Sequence, residues 1–265
     1  MSGAAHWETD WYMARACLEW QVEMGVDEAI CDVPVNRYAL QPAPPKPVPI
    51  PAAPSAPAIV GAPDPVSEAH VAAASATDLA ALEAALAAYP HCDLRLGARN
   101  LVFSDGRPEA RVMIIGEAPG REEDLQGKPF VGEAGQLLDR MFAAITMQRD
   151  HPNPGRALYI TNILPWRPPQ NRDPSAEERA MFRPFVLRHI ELADPDLVVL
   201  MGRISSATLL ETSEGITRIR GKWHELAGRP ALPMLHPAYL LRNPAAKREA
   251  WADLLELQAK LRTLP

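Results

Sequence analysis

Cysteine is scarce in this sequence, with three in 265 residues at Cys17, Cys31 and Cys92. So few thiols, so scattered, exclude a disulfide framework and a thiolate metal site, and they fit a reducing, cytoplasmic compartment. Basic residues are missing from the opening stretch MSGAAHWETDWYMARACLEW up to Arg15, which therefore does not read as a secretory leader. Long apolar runs are absent too: none approaches the ~20 residues of a spanning helix, so no membrane association is expected. Neither a full GxGxxG nor a glycine-rich loop ending in Lys-Ser/Thr occurs, which removes the two commonest phosphate-binding signatures.

Proline, by contrast, is abundant, 28 residues against 15 glycines. Much of it falls in QPAPPKPVPIPAAPSAPAIVGAPDPV, residues 41–66, where missing backbone donors favour extended, semi-stiff chain. We read 41–66 as a linker. Before it, residues 1–40 place Trp7, Trp11, Met13, Leu18, Val22 and Ile30 among acids, as in short amphipathic helices too small for a core of their own. This segment is expected to be a tethered accessory, either a docking element for a protein partner or an appendage without function. Residues 67–265 are expected to form the globular domain, acting as a monomer. Charge is divided unevenly: residues 1–150 carry 11 Lys and Arg against 21 Asp and Glu, and residues 151–265 carry 16 against 12, giving −10 and +4. A basic second half suggests an anionic partner, or simply a solvated surface.

Within the domain, Ser67 to Ala88 is rich in alanine and leucine and predicts an opening helix. Four short apolar runs follow, VMIIGEA (112–118), LYITNIL (158–164), LVVLMG (197–202) and ALPMLH (231–236). Continuously apolar strands alternating with helices predict a parallel sheet covered on both faces. Helices are expected at Glu133–Thr146, Ala176–Leu192, Ile204–Leu210 and Pro244–Leu261, with Pro174 and Pro244 as start signals. The expected fold class is α/β, a three-layer α/β/α domain around a central four-stranded parallel sheet. In such domains ligands bind beyond the carboxyl ends of the strands.

The residues found there carry chemistry. After the first strand come Gly116-Glu117-Ala118-Pro119-Gly120, then Glu122-Glu123-Asp124 and Pro129-Phe130-Val131-Gly132. The glycines permit a tight turn and close approach of a ligand to the main chain. The turn could cradle phosphate in a nucleotide-binding protein, but the acids would repel it, and an uncharged ring with carboxylates to handle water suits these residues better. The second strand ends in Asn162, whose amide both donates and accepts, as the edge of a base requires; a loop cap is the plainer alternative. The fourth ends in His236-Pro237-Ala238-Tyr239-Leu240-Leu241-Arg242, which suits an apolar wedge into a base stack beside a phosphate-binding arginine. No lysine stands at these strand ends, so no imine-forming nucleophile is expected.

In this order, GEAPG with EED and PFVG, TN with RPPQNR, and HPAYLLR resemble the family-4 enzymes of the uracil-DNA glycosylase superfamily. The likeness runs from about Pro90 to Leu261 and takes in ARNLVF and GQLLDRM. It implies the superfamily's α/β/α fold, with a DNA groove across the strand ends. It also implies hydrolysis of the deoxyuridine N-glycosidic bond, or, in a degenerate member, recognition of uracil or abasic DNA without catalysis. Carried over, Phe130 would stack on the flipped base and Asn162 would bond to its edge. His236 would stabilise charge on the departing base, and Gly116, Glu117 and Ala118 would form the first turn. Glu123 would line the pocket as a further catalytic carboxylate, and Leu240, Leu241 and Arg242 would make the wedge. Arg167, Arg172 and Arg183 would be phosphate contacts or ordinary surface charges.

Three departures stand out. Family-4 enzymes commonly hold an iron–sulfur cluster on four cysteines, and the matching positions here are Tyr89, Cys92, Trp166 and Phe182. One thiolate cannot hold the usual four-ligand cluster, so no cofactor is expected and aromatic packing should take its place. Ala118 occupies a position where the best-known branch has a water-activating aspartate, leaving Glu117, Glu123 or Asp124 to handle water, or an already cationic sugar to capture it with little activation. WRPPQNRDP lacks the histidine through which a suicidal relative cross-links DNA, which argues for turnover.

Overall fold

The computed structural model describes residues 64–264, together with Arg15. Contacts divide the chain into Met1–Pro57 and Ala58–Pro265; of the first unit Arg15 alone is described. The accessory segment 1–40 and nearly all of the expected linker lie outside the described residues.

Asp64 caps the first helix, α1 (Pro65–Ser75), by accepting from Ser67 N–H at 3.1 Å. That start falls two residues inside the stretch expected as linker. The single opening helix is in fact two, because Asp78 caps a second one, α2 (Leu79–Ala88), through Ala81 N–H at 2.8 Å. An aspartate side chain that satisfies a free helical donor is worth about 1 kcal/mol at such a position, enough to start a new helix where the chain must turn. A one-turn helix, α3 (Leu94–Gly97), leads into ARNLVF.

The sheet runs in the order β1-β3-β2-β4-β6-β5. Its four inner strands, β2 (Val112–Gly116), β3 (Leu158–Asn162), β4 (Leu197–Met201) and β6 (Arg229–Met234), are parallel and coincide with the four predicted runs. Two short antiparallel edge strands extend the expected four. One is β1 (Asp105–Gly106), where Gly106 at φ +93° presses so close to Leu158 that a Cβ would strike its carbonyl. The other is β5 (His224–Leu226), joined to β6 through Ala227 and Gly228 with φ of +48° and +73°, the backbone of a two-residue primed hairpin turn. Neither edge is long enough to leave an apolar pattern in the sequence.

Side chains of the inner strands alternate between two cores. Met113, Ile115, Val198 and Leu200 face α1, α2 and the long helix α6 (Ala176–Ala193). Val112, Ile114, Val199 and Met234 face α5 (Glu133–Ala143) and the C-terminal helix α10 (Lys247–Thr263). The expected helix from Pro244 begins as a single 3₁₀ turn, Pro244–Ala246, before α10. Four shorter helices, α4 (Arg121–Gln126), α7 (Arg203–Leu209), α8 (Ile216–Ile219) and α9 (Pro237–Arg242), lie after strand ends or in the loops between them. Of these, only α7 was predicted as a helix. No helix among the described residues is long and apolar enough to cross a membrane.

The four positions matching the cluster cysteines sit in the first core. Tyr89, Cys92, Trp166 and Phe182 are all buried there. Phe182 meets Trp166 and Tyr89 edge to face, with ring centroids 5.7 and 6.0 Å away. Tyr89 also donates its hydroxyl to Pro65 O at 2.6 Å, tying the plug to the start of α1. Rings occupy the space, and burial raises the Cys92 thiol pKa, disfavouring the thiolate a metal needs. Among the described residues no cluster of three or more His, Cys, Asp or Glu could hold a metal ion. The residues at these four positions do not fit an iron–sulfur cluster.

Candidate active site

Each inner strand delivers residues to one cavity of about 670 Å³ at the carboxyl edge of the sheet. Glu117 to Gly120 arrive from β2, Asn162 from β3, Gly202 from β4, and Leu235 with His236 from β6. The sequence pattern therefore brings its separate motifs to one place.

Gly116 is tightly packed. A Cβ there would run into both Asn162 Oδ1 and the Phe130 ring, so glycine is what lets the stacking ring and the amide stand side by side. Asn162 is buried at 6% exposure, yet its amide makes no hydrogen bond to another described residue. A buried, unpaired amide facing a cavity is a donor–acceptor pair waiting for a polar edge.

Phe130 holds an unusual backbone, φ +55°, a left-handed conformation that costs a non-glycine residue about 1–2 kcal/mol. Two residues given no role in the sequence reading impose it, Gly135 of GQLLDRM and Arg149 outside the motifs. Gly135 lies so close under the Phe130 carbonyl that no side chain would fit. Arg149 donates to Pro129 O at 2.7 Å and to Phe130 O, and to Asp139 and Asp105 at 2.8 and 3.0 Å. The guanidinium thus staples the PFVG loop to the sheet edge and to α5. No local pattern could have announced it, since Arg149 lies 19 residues from Phe130 in the chain.

His236 caps α9: its Nδ1 accepts from Ala238 N–H at 3.2 Å. That bond assigns the ring proton to Nε2. Burial, followed by the nearby Arg242 charge, lowers the His236 pKa to about 4, so near neutral pH it is an uncharged donor. Its ring lies 5.5 Å from that of Phe130 at an angle of 29°.

The three acids after the first strand divide sharply. Glu123, expected among the catalytic carboxylates, accepts from Gly120 N–H at 3.1 Å and from Val131 and Gly132 N–H at 2.9 and 2.8 Å. It is a splint joining the two loops, with three of its acceptor positions taken by backbone amides. Asp124 is buried and accepts from Arg99 and Asn100 N–H, fastening ARNLVF to α4. Only Glu117 among the candidates lines the cavity without such partners. Burial, and secondarily Asp173, raises its pKa to about 7, against the lowering effect of Arg203 and Arg179.

The wedge differs from expectation at one position. Leu240 is fully buried with Leu137, Leu235 and Ala250, because PAYLLR winds into α9 and turns that side chain inward. Leu241 and Tyr239 are the exposed pair, at 38% and 37%. Arg242 lines the cavity mouth. Arg172 forks onto Glu178 at 2.6 and 2.9 Å, Arg167 donates to Asn171 Oδ1 at 2.7 Å, and Arg183 pairs with Glu211. Of these three only Arg172 lines the cavity.

Residues 103–255 match the family model described as "Uracil DNA glycosylase superfamily". The chain belongs to this superfamily. Among curated proteins it is similar to the Type-4 uracil-DNA glycosylase of Thermotoga maritima, 38% identical over 57% of this chain and 77% of that protein. The Type-4 uracil-DNA glycosylases of Archaeoglobus fulgidus and Saccharolobus solfataricus are each 36% identical. They cover 63% and 66% of this chain, and 84% and 82% of their own lengths. By family this superfamily member is a DNA glycosylase, a hydrolase acting on N-glycosyl bonds.

Proposed function

We propose that the protein excises uracil from DNA, hydrolysing the N-glycosidic bond of deoxyuridine and leaving an abasic site for base excision repair. The observation that carries this reading is the convergence, at one cavity, of a buried unpaired amide (Asn162), a strained aromatic (Phe130) and a neutral ring with a fixed Nε2 donor (His236). An extruded base costs a few kcal/mol to unstack, recovered here through stacking on Phe130 and hydrogen bonds to Asn162.

As the C1′–N1 bond breaks, its electron pair stays with uracil. His236 Nε2–H donates to the base oxygen where that charge accumulates. A donor aimed at developing charge in a water-poor site contributes about 2.7–4 kcal/mol to the barrier. The sugar left behind is cationic at C1′ and is captured by water, whose proton passes to Glu117. Ala118, lacking a carboxyl, supplies only backbone to this turn.

No step uses a metal or organic cofactor, and the aromatic plug of Tyr89, Trp166 and Phe182 is read as replacing the cluster of related enzymes. The scarcity of cysteine supports a cytoplasmic setting, and the protein is read as acting as a monomer.

The test is excision from a labelled single-stranded oligonucleotide carrying one uracil, in chelator, followed by alkali and a denaturing gel. Cleavage that appears only after alkali, and that is lost in Asn162→Ala, is expected. An intact strand that is nevertheless bound in preference to a thymine control would replace this reading with a non-catalytic damage sensor.

A further inference from the structure

Between residues 216 and 248 the chain carries seven Lys and Arg residues against one acid, Glu225, although its overall charge is −6. Two of the seven are neutralised, Arg220 by Asp253 at 3.0 Å and Arg229 by Asp194. The other five, Arg218, Lys222, Arg242, Lys247 and Arg248, are exposed and have no carboxylate partner among the described residues. Several cations outside this stretch are already taken: Arg107, Lys128, Arg183 and Arg188 each face a carboxylate within 3.6 Å. A cation already paired must give up that partner before it can take a phosphate. An unpaired one need only shed water.

Four of the five cations are carried by elements that pack together. Ile216 of α8, Leu240 of α9, Ala246 of the 3₁₀ turn and Ala250 of α10 pack into one apolar cluster. That cluster draws together the elements bearing Arg218, Arg242, Lys247 and Arg248. Ile216, Tyr239 and Arg242 also line the cavity, so the surface adjoins its mouth. Within it stand Tyr239 and Leu241, half-exposed apolar groups of the kind that cover bases beside a phosphate track.

We propose that Arg218, Lys247 and Arg248 continue Arg242 into a binding track for the phosphate backbone of the strand that delivers the base. Tyr239 and Leu241 cover the neighbouring bases. This rests on the function proposed above and extends it from the base to the strand. The track, and not Arg167 and Arg183 with their side-chain partners, supplies the sequence-independent part of affinity.

The experiment is the salt dependence of affinity for an undamaged single-stranded oligonucleotide, measured with the full chain between about 50 and 200 mM salt. Each phosphate contact contributes about 0.7 to the slope of log K against log salt on a single strand. Arg218→Gln, Lys247→Gln and Arg248→Gln together should therefore flatten it by about 2. A control carrying Arg107→Gln, Arg183→Gln and Arg188→Gln should keep the wild-type slope. The track is overturned if the first triple variant retains the wild-type slope, or if the control flattens equally. Uracil excision by the wild type is scored in parallel: its absence would sink the proposed function while the slopes still report on this surface. Excision with an unaltered slope would sink the track alone. Cooperative melting of every variant above the assay temperature establishes that the substitutions left the fold intact.

Discussion

Glu117 lines the cavity with its pKa raised from 4.5 to about 7, by burial first and by Asp173 second. In the unfolded chain the same carboxyl ionises near 4.5, so between 4.5 and 7 the unfolded state releases its proton before the native state does. Native stability therefore falls as pH rises through that window, and the full penalty is present above about 7. At about 1.36 kcal/mol per pH unit the ceiling is about 3 kcal/mol; contact with the solvent in the cavity reduces it to about 1–3 kcal/mol. Glu117→Gln removes the ionisation and keeps the shape. The variant is expected to melt about 2–12 °C above the wild type at pH 8, at about 2–4 °C per kcal/mol for a domain of this size, and level with it at pH 4. Asp253 and His236 titrate in both proteins and cancel in the comparison. The same substitution should slow single-turnover excision by about 10²-fold or more, the usual worth of a general base, and the wild-type rate should climb with pH through about 7. Matched melting curves at pH 8 would refute the burial argument, and an unimpaired rate would refute the role of Glu117 in handling water.

Three further outcomes are expected. His236→Ala should cost about 10²–10³-fold in the chemical step; because the ring is already neutral above about 4, its contribution should not decline between pH 5 and 8 in single-turnover assays, as that of an imidazolium would. Arg149→Gln strips the Pro129 and Phe130 carbonyls and Asp139 of their donor, and should destabilise by about 3–5 kcal/mol in urea titrations and weaken inhibition by free uracil. Arg149→Lys keeps the charge but not the fork and should fall between the two, and equal behaviour of both variants would deny the stapling role. Phe182→Ala opens the middle of the aromatic plug and should cost about 3–5 kcal/mol, with calorimetry as the check.

The inner sheet was legible because its strands are continuous apolar runs, buried on both faces and too short for buried helices. The motif residues were legible because four strand ends in such a sheet must converge, and Gly116, Glu117, Phe130, Asn162 and His236 do meet at one cavity. What escaped was set by partners distant in sequence or by backbone. PAYLLR reads equally as a turn or as a helix too short to show a period, and only its winding decides that Leu240 points inward and Leu241 outward. Glu123 looks like any acid in a polar run until Val131 and Gly132, eight and nine residues on, bring their amides to it. Arg149 and Gly135 escaped for the same reason: their work lies in the carbonyl of Phe130, which carries no side-chain signature.

The splinting of Glu123 and Asp124 changes what an approaching polyanion meets. Three consecutive acids beside the groove look like a negative wall turned toward DNA. Yet two of the three point into the protein, where amide hydrogens screen them, at the amino end of α4 whose own dipole is positive. Glu122 alone faces outward from that run. The entrance is less repulsive than a tally of its letters implies, because only one of the three charges is presented outward.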